Sequence, residues 1–325
     1  MDKLPHYPDI TSMSGQASRR SMLKYFFATL LLPPICAIAK DTSASNASIQ
    51  NALEAWANAA GLSPDMHHVR TIIADYFAST PEHASLRQQR QRADAFYLNN
   101  IPLPADLRFT DVNTRPVKGE WSTGKLTAPH KIMLYLHGGG YVLGSPKGWR
   151  PVSAVIGREA GIMTFSLAYR LAPEHPFPAA LEDACTAYRW LLSMNYSARQ
   201  IIIAGDSAGG GLALAVMFKL RSLGLPLPAA AFVMSPWTDL TLGGDTMDRP
   251  LEYDPYNIKA DNQRNVQAYL KGGDVRNPYV SPLFGDFRGF PPGGFEKPTG
   301  FEAFCVIPFL WFWLREWRYE TAWFL

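Results

Sequence analysis

The sequence predicts an α/β protein with a mostly parallel sheet and an N-terminal cap of helices. Short apolar runs alternate with segments whose apolar residues recur at helical spacing, which indicates parallel strands joined by right-handed crossovers. Two of the runs, Lys131–Leu136 and Ile162–Tyr169, are apolar at nearly every position, as in strands buried on both faces. With 325 residues, 47% of them hydrophobic, the chain is long enough for one large domain of this kind or for two small ones.

Three helices are predicted ahead of the sheet. The first begins at Ser48 and stops at Gly61, and the second follows Pro64. The second helix has an apolar face formed by Val69, Ile72, Ile73 and Phe77. A third, charge-rich helix is predicted from Glu82 to Tyr97. Because all three precede the first strand, we expect them to form a cap or lid and not to lie within the sheet.

Six strands follow in the prediction. They begin near Leu107 and continue at Val117–Trp121, Lys131–Leu136, Ile162–Tyr169, Gln200–Ala204 and Ala229–Met234. Helices are predicted between the later strands, at Val152–Ala160, Ala179–Leu192 and Ala208–Leu223. This order is typical of a parallel sheet whose strands are connected through helices.

Composition excludes several classes of protein. The formal net charge is +3, and no run of Lys and Arg is long enough to indicate nucleic-acid binding. The three cysteines, Cys36, Cys185 and Cys305, have neither the spacing of a metal site nor that of a disulfide framework. The oligomeric state is left open by the sequence.

The N-terminus has the pattern of an export signal. A twin arginine in "SRRSMLK" (Ser18–Lys24) precedes an apolar stretch, Tyr25–Ala39, that ends in Ala-Ile-Ala. A stable membrane span would need ~20 apolar residues, and Pro33 and Pro34 interrupt this one. We therefore expect export to the periplasm and removal of residues 1–39. The alternatives are a mis-assigned start codon and an uncleaved membrane anchor.

Four segments are predicted along the chain. Residues 1–39 are the twin-arginine-like signal, and residues 40–105 are a linker and the helical cap. Residues 106–292 form an incomplete sheet domain, and residues 293–325 are an atypical, aromatic-rich tail.

The first motif with chemical meaning is "GDSAG", Gly205 to Gly209. It follows an apolar strand and precedes a helix, which is the context of the G-x-S-x-G elbow. Gly205 and Gly209 permit a sharp turn that exposes the hydroxyl of Ser207, and Asp206 belongs to the same motif. The motif predicts Ser207 as a nucleophile. The alternative is a turn of small residues that only connects a strand to a helix.

The second motif is "LHGGGYVLGS", which follows the third predicted strand. Its glycines leave backbone amides unobstructed, and the amides of Gly138, Gly139 and Ala208 are predicted to hold an oxyanion. His137 and Gly140 belong to the same motif and are expected to support it. The alternative is a flexible surface loop. A phosphate loop is excluded, because no Gly-Lys-Ser/Thr follows.

Together these motifs resemble the hormone-sensitive-lipase-like esterases of the α/β-hydrolase fold. The resemblance is carried by "EW", "LYLHGGGYVLGSP", "YRLAPEHPFPAALEDA", "GDSAGGGLALA", "SPWTDLT", "YVSPLFGD" and "GFPP". It implies that Ser207 is the nucleophile, that Gly138, Gly139 and Ala208 form the oxyanion hole, and that neither a cofactor nor a metal is needed. It also implies a small apolar ester as substrate, with the N-terminal helices shaping the acyl pocket.

The base and the acid of a catalytic triad cannot be identified. In this fold the triad runs in the order Ser, Asp or Glu, His, whereas all seven histidines precede Ser207 and the last is His175. His137 is expected to brace the glycines and His175 to make a structural hydrogen bond. His67 and His68 lie on a cap helix. Asp239, which follows Trp237, is a candidate for the acid, but the resemblance implies a structural role for "SPWTDLT".

The C-terminal segment departs from the pattern. Two further strands with their helices need about 60 residues, but only 33 follow Pro292, and 11 of these are aromatic. We expect the last strands of the sheet to be missing. The tail is interpreted as the product of a shifted reading frame, and the alternatives are a genuine variant end folded over the sheet and a membrane-associated segment.

The prediction for function follows from these motifs. We expect a hydrolase of short- to medium-chain acyl esters that works through a serine acyl-enzyme and is impaired by the lack of the triad Asp and His. The alternative is a non-catalytic binder of small molecules on the same fold. A misfolded product without function is the third possibility.

Overall fold

The computed structural model describes residues 64–81, 83–244 and 258–291, together with residues 51, 54, 58 and 247. The predicted signal segment, the linker, nearly all of the first cap helix and the aromatic-rich tail lie outside the described residues. The predictions for these segments therefore stay predictions.

The described strands form one six-stranded sheet in the order β1-β2-β4-β3-β5-β6. The strands are β1 (Arg108–Asn113), β2 (Lys118–Thr123), β3 (Ala128–Leu136), β4 (Ile162–Leu167), β5 (Ile201–Asp206) and β6 (Ala230–Met234). The first two are antiparallel to their neighbours, and the β4-β3-β5-β6 part is parallel. The prediction of a mostly parallel sheet is confirmed.

Six α-helices lie in the described part of the chain. They are α1 (Pro64–Ala78), α2 (Leu86–Asn100), α3 (Arg150–Glu159), α4 (Ala179–Ser193), α5 (Ser207–Ser222) and α6 (Lys259–Leu270). Helix α5 packs against β5, β6 and β3, and α3 packs against β4 and β2. No helix among the described residues is both long and apolar enough to cross a membrane.

The core is centred on β3, β5 and α5. Residues 132–136 of β3 are at most 1% exposed, and helix α5 is buried along nearly its whole length. This burial on all sides explains why both elements have no polar face in the sequence. Ser207 is the residue at which α5 begins, directly after the end of β5, and both of these core elements therefore fix its position.

The cap helices agree with the prediction in kind and differ in their bounds. Val69, Ile73 and Phe77 form the buried face of α1, as predicted. Helix α2 begins at Leu86 and not at Glu82, because Ser85 caps it: its hydroxyl accepts the Gln88 N–H, and the Gln88 side chain accepts the Ser85 N–H.

Helix α6 was not predicted. Its sequence, "KADNQRNVQAYL", is mostly polar, and its buried residues are Asp261, Asn262, Asn265 and Tyr269. A buried face made of polar side chains leaves no hydrophobic periodicity to detect.

Strand β6 is the last of the six in the described sheet, and there it pairs on one side only, with β5. The expected absence of further strands concerns the tail, which lies outside the described residues.

A buried ion pair joins β2 to α3. Glu120 of β2 is 3% exposed, and Arg150, the first residue of α3, donates its Nε–H to Oε1 of Glu120 at 2.8 Å and contacts the other carboxylate oxygen as well. The Arg150 guanidinium also lies over the ring of Phe109, 4.2 Å from its centre. This pair fixes the start of α3 to the antiparallel part of the sheet.

We expect Glu120→Ala to lower the free energy of unfolding by about 2 kcal/mol, because it leaves Arg150 half-buried without its carboxylate. Lys147→Ala is the control, since the ion pair of Lys147 with Asp111 is more than half exposed and should contribute less than about 1 kcal/mol. Urea denaturation of both variants measures the difference, and equal losses would contradict the role of burial.

Candidate active site

Ser207 lies in a strained turn between β5 and α5. Its φ angle is +49°, a region that side chains other than glycine rarely adopt. Gly209 makes the turn possible, because a Cβ there would collide with the backbone carbonyls of Leu136 and His137. The Ser207 carbonyl accepts the Trp237 N–H at 2.8 Å, which holds the turn from the loop after β6. This is the elbow that the motif predicts.

Asp206 is buried directly beside Ser207 and accepts three hydrogen bonds from uncharged donors. Its Oδ1 accepts from the Tyr135 hydroxyl at 2.8 Å and from the Gly138 N–H at 2.9 Å. Its Oδ2 accepts from Trp149 Nε1–H at 3.1 Å. Burial raises the pKa of Asp206 to about 6, and the hydrogen bonds work against that rise. Asp206 thus ties the end of β5 to the glycine loop that follows β3.

The structure contradicts the predicted place of Gly138 among the oxyanion donors. Its N–H already donates to Asp206 and is not available to a substrate. The cause is the register of the parallel strands: Leu136 of β3 pairs with Gly205 of β5, so the residues just after these two strands lie next to each other. The amides of Gly139, which was predicted, and of Gly140, which was not, have no acceptor within the described part of the chain.

Hydrogen bonds on the carbonyl side orient both of these amides. His137 Nδ1 lies 2.7 Å from the Gly138 carbonyl oxygen and donates to it, and the same planar peptide carries the Gly139 N–H. The Gly139 carbonyl accepts from the N–H groups of Val142 and Leu143 at 3.0 and 2.8 Å, and that peptide carries the Gly140 N–H. N–H and C=O point in opposite directions across a trans peptide. Both N–H groups therefore point away from the donors that bind the Gly138 and Gly139 carbonyls.

Helix α5 supplies the third amide. Ala208 lies in its first turn, where backbone N–H groups have no intrahelical acceptor. The N-terminus of the helix also favours negative charge nearby. Gly139, Gly140 and Ala208 are therefore the amides suited to an oxyanion, and whether they bind one stays a prediction.

His137 is enclosed by aromatic rings. It is 2% exposed, stacks on Tyr169 with the ring centres 4.3 Å apart, and lies beside Trp149. The Tyr169 hydroxyl donates to the His137 carbonyl at 2.7 Å. Burial lowers the pKa of His137 to about 4, so the ring is neutral at pH 7 and is a weak base. Its contacts are those of a residue that braces the glycines.

The other described histidines are exposed; these are His67, His68, His83, His130 and His175. Within the described residues the Ser207 hydroxyl makes no hydrogen bond, and therefore none to a histidine or a carboxylate there. Asp239 is engaged in its own loop, where Oδ1 accepts the Thr241 N–H at 2.8 Å and the backbone carbonyl accepts Trp237 Nε1–H. This agrees with a structural role for "SPWTDLT".

Tyr135 and Trp149 are part of the site and were not predicted. Tyr135 lies in an apolar strand and was interpreted only as part of that strand. A buried tyrosine needs a hydrogen-bond partner for its hydroxyl, and the sequence could have indicated such a partner on this ground. Trp149 lies between the glycine loop and α3, and nothing in its sequence neighbourhood points to Asp206.

Comparison with known proteins agrees with this geometry. Residues 133–293 match the model of a family described as having the alpha/beta hydrolase fold. An acetyl-hydrolase from Streptomyces hygroscopicus is 46% identical over 231 residues, which are 71% of this chain and 76% of that protein. An esterase from Acinetobacter venetianus is 33% identical over 194 residues, 59% of this chain and 63% of that protein.

A solved structure of an esterase from the bacterial hormone-sensitive lipase family superposes with a TM-score of 0.64 at 34% identity and covers 76% of this chain and 77% of that one. Fold and site thus define an α/β hydrolase with a serine elbow. The chain belongs to the α/β-hydrolase family, among the bacterial esterases related to hormone-sensitive lipase.

The two buried titratable groups predict a specific pH dependence. Because folding raises the pKa of Asp206 from 3.8 to about 6, its contribution to stability falls as pH rises from about 4 to 6. Because folding lowers the pKa of His137 from 6.5 to about 4, its contribution rises over nearly the same interval. The two slopes oppose each other in the native protein.

Asp206→Asn removes one of these slopes. We expect the unfolding free energy of the variant to rise with pH, relative to the unmodified protein, by about 1.4 kcal/mol per pH unit between pH 4 and 6. Urea denaturation at several pH values measures it. Asp111→Asn is the control, because it makes the same change of side chain at an exposed position of β1. Parallel profiles for all three proteins would contradict the assignment.

Gly139→Ala tests the loop itself. Gly139 has a φ angle of +108°, and a Cβ there would collide with the backbone of Leu143. We expect the variant to unfold at a lower urea concentration than Gly224→Ala, since Gly224 also has a positive φ (+67°) but a Cβ there meets nothing within 4 Å. Equal midpoints for the two variants would show that the collision is relieved at no cost.

Proposed function

We propose that the elbow and the glycine loop form the site of a carboxylic ester hydrolase that acts on short- to medium-chain acyl esters. The observation that carries the proposal is the position of Ser207 at the start of α5, with the amides of Gly139, Gly140 and Ala208 free of other acceptors among the described residues. The printed names of the relatives, an acetyl-hydrolase and an esterase, support the same reaction class.

The reaction runs in two halves. The Ser207 oxygen attacks the carbonyl carbon of the ester, and the oxygen that gains the negative charge accepts hydrogen bonds from the three amides. The bond between the carbon and the alcohol oxygen then breaks, the alcohol leaves with the proton that Ser207 gives up, and an acyl-enzyme remains. Water attacks the acyl-enzyme, which releases the carboxylic acid and restores the hydroxyl of Ser207.

We propose that turnover by this chain is slow. Both halves need a base that takes a proton, and no histidine follows Ser207 in the sequence. His137, with its lowered pKa and its bond to Gly138, is unsuited to the task. The oxyanion amides and substrate binding alone sustain ~10³–10⁴-fold acceleration over water in serine hydrolases that lack a triad member.

Mass spectrometry after incubation with p-nitrophenyl butyrate tests the proposal. We expect a butyryl group on the peptide that contains Ser207, no such group in Ser207→Ala, and steady-state hydrolysis no more than ~10³–10⁴-fold above buffer. Turnover near the ~10 s⁻¹ that is common for enzymes would contradict slow turnover and show that a base is present.

The alternative function has its own outcome in this experiment. A non-catalytic binder would take up the ester without forming a Ser207 adduct, and its affinity for butyrate esters would be the same in the Ser207→Ala variant. That result would overturn the esterase proposal.

The location of the chain also stays a proposal. We propose export to the periplasm, supported by the twin arginine and the apolar stretch before Ala39. A fusion of residues 1–39 to a reporter protein would appear in the periplasmic fraction, and replacement of Arg19 and Arg20 by Lys would retain it in the cytoplasm.

A further inference from the structure

Helix α2 of the cap touches the glycine loop at two places. Arg90 donates its Nε–H to the carbonyl of Val142 at 2.9 Å. Asp94 accepts from the hydroxyl of Ser145 at 2.7 Å. These two residues are one helical turn apart and share a face of α2. The helix therefore holds both the middle and the end of the glycine loop, residues 138–145, which we call the oxyanion loop from here on.

The Arg90 guanidinium is held in one orientation by groups outside that loop. Its two terminal nitrogens donate to the two carboxylate oxygens of Glu174 at 2.8 and 2.7 Å, and one of them also donates to the Ala172 carbonyl at 2.9 Å. A bidentate pair of this kind fixes the plane of the guanidinium. Arg90 thus joins three separate segments of the chain at a single planar group.

The bond to Val142 reaches one of the oxyanion amides through a short series of contacts. The Val142 N–H donates to the Gly139 carbonyl, and the peptide that carries this carbonyl also carries the Gly140 N–H. A shift of Val142 would therefore rotate the Gly140 amide. The hydrogen bonds of Arg90 go to Val142, Ala172 and Glu174, and the effect on the Gly140 amide is therefore indirect.

A third residue of the same helix face supports the other side of the site. Tyr97 is 1% exposed, and its ring lies 4.5 Å from that of Trp149, centre to centre. Trp149 in turn donates to Asp206, which holds the Gly138 N–H. The face formed by Arg90, Asp94 and Tyr97 thus contacts the loop at Val142 and Ser145 and contacts Trp149, a partner of Asp206.

We propose that Arg90 is a positioning residue for the oxyanion loop: it fixes Val142, and through it the Gly140 amide, to the cap helix. The consequence for catalysis rests on the esterase function proposed above. The cap then does more than enclose a substrate, because it sets the geometry of the transition-state donors.

Hydrogen exchange followed by mass spectrometry tests the anchor without reference to activity. We expect Arg90→Ala to speed exchange in peptides that span residues 138–145, and Arg87→Ala, an exposed arginine on the same helix, to leave it unchanged. Glu174→Gln, which removes the charge that orients Arg90, is the second variant and should speed exchange in the same peptides to a smaller extent. Unchanged exchange there in Arg90→Ala, or an equal rise over the whole described chain, would overturn the proposal.

The acylation rate and the half-saturating ester concentration, measured separately, distinguish a positioning role from a merely structural one. We expect Arg90→Ala to slow acylation of Ser207 by p-nitrophenyl butyrate about tenfold and to change the half-saturating ester concentration by less than about twofold. The reason is that misplaced donors lose more stabilisation of the transition state than of the bound ester. Arg90→Lys should recover only part of the rate, since one ammonium group cannot reproduce the planar set of contacts. A rise in the half-saturating concentration at an unchanged rate would overturn the positioning role.

The two proposals fail in different ways. If the unmodified chain forms no Ser207 adduct, the esterase function is wrong, and the exchange experiment still decides whether Arg90 anchors the loop. If the adduct forms normally in Arg90→Ala while exchange of the loop is unchanged, only the positioning role is wrong.

Discussion

The carboxylate of Asp206 is the group on which the rest of the site depends. It lies at the end of β5, next to the nucleophile, and it binds the first amide of the glycine loop together with Tyr135 and Trp149. A buried carboxylate is costly unless its oxygens are satisfied, so its partners are strongly constrained in position. The constraint aligns β3, β5 and the start of α3 around one residue. The strained turn at Ser207 begins directly after this residue.

The oxyanion loop shows how backbone geometry is controlled from a distance. The amides of Gly139 and Gly140 each belong to a peptide whose carbonyl is bound on the opposite side, by His137 in one case and by Val142 and Leu143 in the other. The rigid peptide plane transmits the position of the carbonyl to the amide. His137 serves this purpose as a neutral donor, which suits its low pKa better than the role of a base does.

Most of the architecture was predictable from the sequence, and the exceptions have a common cause. Strands such as β3 and β5 are apolar over their whole length, and α1 has a clear apolar face, so simple periodicity finds them. Helix α6 buries Asp261, Asn262 and Asn265, which removes that signal. Gly138 was assigned to the oxyanion hole because three equivalent glycines stand in a row, and only the position of Asp206 distinguishes the first from the other two.

The sequence by itself determined the class of fold, the serine elbow at Ser207 and the presence of a glycine loop, because these follow from the order of apolar runs and from local turn chemistry. It also established that no histidine follows Ser207. Only the tertiary structure decided which amides stay free, which carbonyl His137 binds, and that Arg90 of the cap reaches the loop. These points depend on strand register and on contacts between residues far apart in the chain, which no local pattern encodes.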